Sequence, residues 1–290
     1  MRTFPSSSRF NASPRVMRPQ AVICAVPEPS YTIGTLVTDP ALYSGMRTSF
    51  TAGGFSDDTT EYLFIDNTGD EQTCAFRGLN AILNVARGRY VILCHQDVKL
   101  IEDGRAKLDS LIANLHRIDP YWALAGNAGG VVPGELALRI TDPHGRDQSV
   151  GEFPVRVMSL DENFIIVRRD ARIGFSGDLT GFHFYGADIC LAADIMGHTA
   201  YVIDFHLEHL SGGRKDRLFD EAEAAFRSKW SHALRPRWMQ TTCSLVRIAG
   251  DTLSYVAGRL AEAPFAKISR RLPSAKGWTS PSADNKATTG

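Results

Sequence analysis

The sequence predicts an α/β fold, a sheet whose strands run mainly in one direction with helices on its faces. Strand-like and helix-like segments alternate from residue 21 onward. The run Tyr90-Val91-Ile92-Leu93-Cys94 is apolar throughout, as a strand covered on both faces must be. It stops at His95-Gln96-Asp97-Val98, a polar break of the kind open α/β sheets place beside their ligands. With 290 residues and 43% hydrophobic content, the chain can bury a core without covalent staples.

In chain order, residues 21–26 read as the first strand, closed by Pro27 and Pro29. Asp39 caps a helix with Pro40 at its first position, running through Leu42, Met46 and Phe50 to Gly53-Gly54. Residues 62–65 form the next strand, ending at Asp66. Strand, helix, strand in this order is a right-handed crossover, which leaves Asp66 on the same sheet edge as the loop after the first strand. Phe76, Leu79, Ile82, Leu83 and Ala86 recur at helical spacing, with Gly88 as the cap, and the Tyr90 strand follows directly. Asp66 and Asp97 should therefore share one carboxyl edge.

Residues 103–118 read as an amphipathic helix stopped by Asp119-Pro120, 122–125 as a strand, 126–130 as a flexible loop and 131–150 as a hairpin-like insertion. Two strands, 155–158 and 164–167, are separated by Asp161-Glu162-Asn163. A helix over 189–196 carries Asp188 in its first turn, where a carboxylate meets the favourable end of the helix dipole. Residues 199–205 make the last strand, exiting into His206 and His209, and 216–233 and 240–261 read as helices. The implied organisation is a tail over 1–19, one α/β domain over 20–213, a helical extension over 214–262 and a second tail over 263–290.

Thirty-two basic and 32 acidic side chains give zero formal net charge, which argues against a nucleic-acid partner and for a small molecule. The five cysteines are widely spaced with no CxxC pair, fitting reduced thiols better than a disulfide framework or a zinc ribbon. No apolar stretch approaches the ~20 residues of a membrane span, and the N-terminus lacks the apolar core of a secretory signal, so the expected compartment is the cytoplasm. Arg2, Arg9, Arg15 and Arg18, with no acid before Glu28, fit a disordered tail better than a transit peptide.

Asp66, Asp97, Asp188 and His209 all fall at strand ends or at a helix start reached from the sheet. Singly, such an aspartate is more often a turn or cap residue, and such a histidine more often structural. Converging on one edge, carboxylates suit Mg²⁺ or Mn²⁺, which bridge phosphate oxygens and offset charge on a departing phosphate. Neither a GxxxxGK[ST] loop nor a GxGxxG after the first strand is present.

Asp66-Asn67, then Ala75-Phe76-Arg77-Gly78-Leu79-Asn80 with Ala81, Ala86 and Gly88, then Tyr90 through Val98, Gly181 through Leu191, and His209 through Gly213 follow one another in a familiar order. Over about residues 20–213 the chain resembles the inverting family 2 glycosyltransferases of the GT-A fold, and His-Gln-Asp-Val resembles the branch called glycosyltransferase-like. The resemblance implies a mixed, mainly parallel GT-A sheet flanked by helices, with a helical C-terminal extension. It also implies transfer of a hexosyl or deoxyhexosyl unit from a nucleotide-diphosphate sugar to a saccharide or lipid-linked acceptor, with inversion, in polysaccharide biosynthesis. By position, Asp66 contacts the donor's base or ribose, and Asn80 shapes that pocket. Asp97 holds the metal on the donor diphosphate, His209 is a further metal or diphosphate ligand, and Asp188 is the general base. His95 stands where the family has its first aspartate, so it either weakens metal binding or contacts ribose or phosphate.

Arg214, with Lys215 and Arg217, reaches the diphosphate or starts a solvated helix, two readings of equal weight. His183 orients Asp188 or binds acceptor, or packs among Phe182, Phe184 and Tyr185, the last being favoured. A stripe of Leu245, Ala249, Leu253, Val256 and Leu260 faces the core, or alternatively makes a peripheral contact with the inner face of an anionic membrane carrying a lipid-linked acceptor. The missing first aspartate supports a rival reading, a catalytically silent nucleotide-sugar binding protein on the same scaffold. A nucleotidyltransferase is a third reading, weakened by the lack of a Gly-rich phosphate loop.

Overall fold

The computed structural model describes residues 19–22, 28–213, 215–243, 245–254, 256–257 and 260. The two expected tails, residue 19 apart, and Arg214 lie outside them. The chain divides into two compact units after Phe226.

The first unit opens with β1 (Gln20–Val22), β2 (Tyr31–Val37), α1 (Pro40–Ala52), β3 (Thr60–Asp66), α2 (Ala75–Val85), β4 (Tyr90–Cys94), β5 (Val98–Leu100) and α3 (Arg105–Ile118). Then come β6 (Trp122–Gly126), β7 (Ala128–Val132), β8 (Glu135–Asp142), β9 (Gly145–Val150), β10 (Val155–Val157), β11 (Ser159–Leu160) and β12 (Phe164–Arg168). After them follow α4 (Tyr185–Ile195), β13 (Thr199–Val202), β14 (Leu207–His209) and the start of α5 (Arg217–Ala233).

An eight-stranded mixed sheet, in the order β1-β3-β2-β4-β12-β6-β13-β10, forms the centre. Strands β2, β3, β4, β6 and β13 point one way, while β1, β12 and β10 are reversed. Successive residues of β4 alternate between two cores, as the strand period of two requires. Val91 and Leu93 pack with Phe76, Leu79 and Ile82 of α2 and Ile189 of α4. Tyr90, Ile92 and Cys94 pack with Met46 and Phe50 of α1 and Leu108, Ile112 and Leu115 of α3. The sheet is thus covered on both faces by helices, the mixed α/β architecture expected.

Several expectations need correction. The strand that opens the crossover is β2; of the strand expected at 21–26, residues 21 and 22 belong to β1, an antiparallel edge strand on β3, and 23–26 lie outside the described residues. The β2 sequence Tyr31-Thr32-Ile33-Gly34-Thr35-Leu36-Val37 lacks a continuous apolar run because Thr32 and Thr35 are buried polar residues. Residues 126–130 are not a loop but the end of β6 and the start of β7. A second sheet, β11-β7-β8-β14-β5 with β9 on β8, absorbs the hairpin-like insertion. Gly88 does not cap α2, whose last turn closes at Ala86. A Cβ at Gly88 would lie 2.3 Å from the Thr32 backbone nitrogen, so the chain entering β4 passes β2 where only hydrogen fits.

Glu61 of β3 is buried, with Oε2 accepting from Thr32 Oγ1 at 2.6 Å and Arg87 N at 2.8 Å, and Oε1 from Arg87 Nε at 2.6 Å. Burial alone raises its pKa, but the Arg87 amide, the Thr32 hydroxyl and the Arg87 guanidinium outweigh it and leave the carboxyl below its usual range. A lowered carboxylate pKa contributes stability that is present above the unfolded-state value and lost as pH falls through the folded-state value. Glu61→Ala is therefore expected to cost about 2–3 kcal/mol in urea denaturation at neutral pH, with the gap to wild type narrowing in acid. An equal gap at both pH values contradicts this account.

The second unit contains β15 (Arg237–Gln240) and β16 (Leu245–Ile248), an antiparallel hairpin. It replaces the first part of the helix expected over 240–261. Alternation at Trp238, Val246 and Ile248 supplies a strand period that the helical stripe concealed. Leu253, Val256 and Leu260 are exposed, so this part of the stripe does not face a core. No helix among the described residues is long and apolar enough to cross a membrane.

Candidate active site

The site begins where β4 ends. A tight turn, with Val98 N donating to His95 O, takes the chain from β4 into β5 and so from the central sheet into the second one. In that sheet β14 pairs antiparallel with β5, setting His209 opposite Val98, and Leu210 N donates to Asp97 O. One ladder therefore closes a sequence gap of more than a hundred residues. His95 Nδ1 lies 3.1 Å from His209 Nε2, Asp97 Oδ1 lies 3.4 Å from His209 Nε2 and 4.0 Å from His95 Nδ1. These three atoms form a set spaced to hold one metal ion.

The Tyr185 hydroxyl reaches Glu162 O at 3.0 Å and His95 Nε2 at 2.8 Å; with its one proton given to the carbonyl, the ring nitrogen is the donor in the second contact. Nδ1 then carries a lone pair directed at the cluster, the arrangement by which an outer partner orients a metal-ligating histidine. Burial and the adjacent His209 hold the His95 pKa below its ordinary value, against the pull of Asp97, which favours the neutral ring a metal requires. Burial would raise Asp97, but hydrogen bonds from His209 and Ser211 bring it down to about 2. Ser211 Oγ sits 3.2 Å from the same His209 Nε2 that faces Asp97. A nucleophilic relay needs serine and aspartate on different ring nitrogens, so this arrangement is not a Ser-His-Asp triad.

A cavity of about 280 Å³ opens beside the cluster, lined among others by Thr38, His95, Gln96, Asp97, Glu162, Phe182, Tyr185 and Ser211. Gln96 ties its wall together. Its Oε1 accepts from Thr38 N and Asp39 N at 2.8 and 2.9 Å, and its Nε2 donates to Thr38 Oγ1 at 2.7 Å. The loop between β2 and α1 is thereby locked to the turn that carries Asp97.

Of the residues expected at the site, the structure brings together His95, Asp97 and His209. Asp66 ends β3 beside Val37 on the same carboxyl edge, but it is exposed and accepts from the Thr68 hydroxyl and amide, which lower its pKa. Asn80 turns away from the cavity, and its amide spans the Phe175 backbone with 2.9 Å bonds to both N and O. Asp188 is fully buried and absent from the cavity wall; its two oxygens accept from Ser176 N and Ser176 Oγ, each at 2.7 Å. That geometry pins the 174–180 segment to α4 and does not offer the carboxylate to an acceptor. His183 packs edge-on against Phe219, and Phe184, at a positive φ of 65°, is held between the Phe219 and Phe226 rings. Sequence reasoning missed Glu162, Tyr185, Gln96 and Ser211. Gln96 and Ser211 carried a signal as neighbours of Asp97 and His209, and Tyr185 lay within the run from Gly181 to Leu191.

The four cysteines among the described residues are free, and burial pushes Cys94 and Cys190 up to about 12, which leaves both unreactive.

Fold and site together define a mixed α/β protein with two imidazoles and a carboxylate converging at the carboxyl edge of its sheet, beside a cavity. The chain belongs to the same family as the protein of Fuscovulum blasticum described as "ATP synthase subunits region ORF 6", with 37% identity over 227 residues, 76% of this chain and 91% of that protein. No protein-family model matches the sequence. Among solved structures it resembles S. aureus TarS 1-349 in complex with UDP-GlcNAc, with a TM-score of 0.43 and 10% identity over 64% of this chain. It also resembles the mannosyltransferase PcManGT from Pyrobaculum calidifontis in complex with GDP-Man and Mn2+, with a TM-score of 0.40 and 13% identity over 70% of this chain. The matches span 60% and 61% of those two chains.

Proposed function

We propose that this protein is a metal-assisted inverting glycosyltransferase that moves a sugar from a nucleotide-diphosphate donor to a saccharide or lipid-linked acceptor. The observation that carries the reading is the convergence of His95 Nδ1, Asp97 Oδ1 and His209 Nε2 beside the cavity. The ordered motifs from Asp66 to Gly213 add to it. His95, Asp97 and His209 fit a divalent ion, since Asp97 is ionised, His95 Nδ1 and His209 Nε2 converge on it, and a cation binding there would displace the proton that His209 shares with Asp97. Such an ion, when bound, neutralises charge on a departing diphosphate. Thr38 and Gln96 shape the wall at which the donor lies, with Asp66 further along the same strand edge as a contact for its base or ribose. Attack by an acceptor hydroxyl on the face opposite the diphosphate inverts the anomeric centre.

Two imidazoles and a single carboxylate suit Mn²⁺ better than Mg²⁺, which prefers oxygen ligands and gives up water reluctantly. Calorimetric titration with UDP, GDP and dTDP is expected to show binding at least about tenfold tighter with Mn²⁺ than with Mg²⁺, and Mn²⁺-dependent donor cleavage. Nucleotide binding that ignores metal defeats the reading. Metal-dependent binding without turnover on any acceptor favours the silent binding protein, the reading motivated by His95 in place of an aspartate.

A further inference from the structure

The transfer reaction needs a group to take the acceptor's proton, and Asp188 is committed to Ser176. Two carboxylates line the cavity, Asp97 and Glu162. Asp97 belongs to the ligand cluster and is held strongly acidic there, which makes it a weak base. Glu162 sits in the turn before β12, next to the end of β4, where His95 N donates to Asn163 O at 3.0 Å. Its own carbonyl receives the Tyr185 hydroxyl that also touches His95. The side chain reaches the start of α4, with Oε1 accepting from Gly186 N at 3.3 Å. A carboxylate is therefore mounted at a helix N-terminus, facing the cavity, one tyrosine removed from the ligand cluster.

We propose that Glu162 is the general base of this enzyme, a role that rests on the glycosyltransferase reading. Its carboxylate takes the proton of the acceptor hydroxyl while that oxygen bonds to the anomeric carbon. The bond from that carbon to the diphosphate oxygen breaks, and its electron pair leaves with the diphosphate; Glu162 then returns its proton to water. The surroundings suit the task. Burial raises the Glu162 carboxyl to about 8, Asp161 pushes the same way, and the backbone amides of Gly186, Tyr185 and Phe184 oppose them. A base with a pKa near neutrality combines a useful ionised fraction with real basicity.

The alternative is that Glu162 only caps α4. Glu162→Gln separates the two, because the amide oxygen still accepts from Gly186 N but cannot take a proton. The test uses the full chain with Mn²⁺, the donors UDP-glucose, UDP-GlcNAc, GDP-mannose and dTDP-glucose, and a panel of mono- and disaccharide acceptors, reading nucleoside diphosphate release against pH. Wild type is expected to gain kcat as pH rises through about 8. Glu162→Gln should bind donor as wild type does, lose about 10²-fold or more in kcat and lose that pH dependence. Full turnover in Glu162→Gln, or loss of the pH limb in Asp188→Asn instead, overturns the assignment while leaving the glycosyltransferase reading intact. A wild-type chain that binds none of the donors brings down that reading and the role of Glu162 with it.

Discussion

Asp97→Ala and His209→Ala are each expected to abolish measurable Mn²⁺-dependent nucleotide binding and to lower turnover by about 10²- to 10³-fold, the usual effect of removing one group that stabilises developing charge. The fold should survive. Both side chains lie at the end of the β5–β14 ladder, whose pairing is made by backbone atoms and by Leu207 and Leu100 in the core. Circular dichroism close to wild type, with a urea midpoint lowered in Asp97→Ala by the loss of a carboxylate held well below its ordinary pKa, together with calorimetry for Mn²⁺ and nucleotide, check the result. His95→Asp is the informative companion. It replaces an imidazole with a carboxylate, so it should retain metal binding and move the preference toward Mg²⁺. Unchanged selectivity in that variant, or full activity in Asp97→Ala, removes the cluster from the mechanism.

Gly186→Ala is expected to destabilise the protein by about 2–4 kcal/mol and to weaken metal binding at a distance. Two effects compete at this position. Alanine is better than glycine within a helix by about 1 kcal/mol and also restricts the unfolded chain. Against that, a Cβ at Gly186 would stand 2.2 Å from Leu160 O and 3.2 Å from Glu162 Cγ. Leu160 belongs to β11, where Leu160 pairs with Gly129 of β7, so its carbonyl cannot step aside as a flexible side chain can. Steric conflict with backbone therefore wins, and the start of α4 has to move. Tyr185 moves with it, and the hydroxyl that orients His95 loses its place. Thermal and urea unfolding measure the first effect and Mn²⁺ titration the second; a variant as stable as wild type contradicts the packing argument.

Much of the scaffold was legible because it is written in periodicities. Helices α1, α2 and α3 show their apolar spacing, Asp39-Pro40 announces the start of α1, and the five apolar residues of β4 announce a strand buried on both faces. Strand β2 escaped because its buried threonines find their partners elsewhere, Thr32 on Glu61 and Gly88, Thr35 against Cys94. A polar residue reads as exposed until its partner is known. The hairpin β15–β16 escaped for a different reason, since a short segment with apolar residues at several spacings satisfies both templates.

The candidate site divides along the same line. That His95 and Asp97 stand at a strand end is readable along the chain, because an apolar run closing on a polar turn is a local pattern. His209 is marked as well, through the strand that precedes it. That these three meet is a property of the folded chain, because the β5–β14 register acts across a separation no periodicity spans. Folding withdrew Asn80 and Asp188 from the cavity, since a side chain's partner depends on which loop packs over it. It brought in Tyr185 and Glu162 instead. Their importance arises from what α4 and the turn before β12 are folded against, and a linear pattern carries no information about that contact.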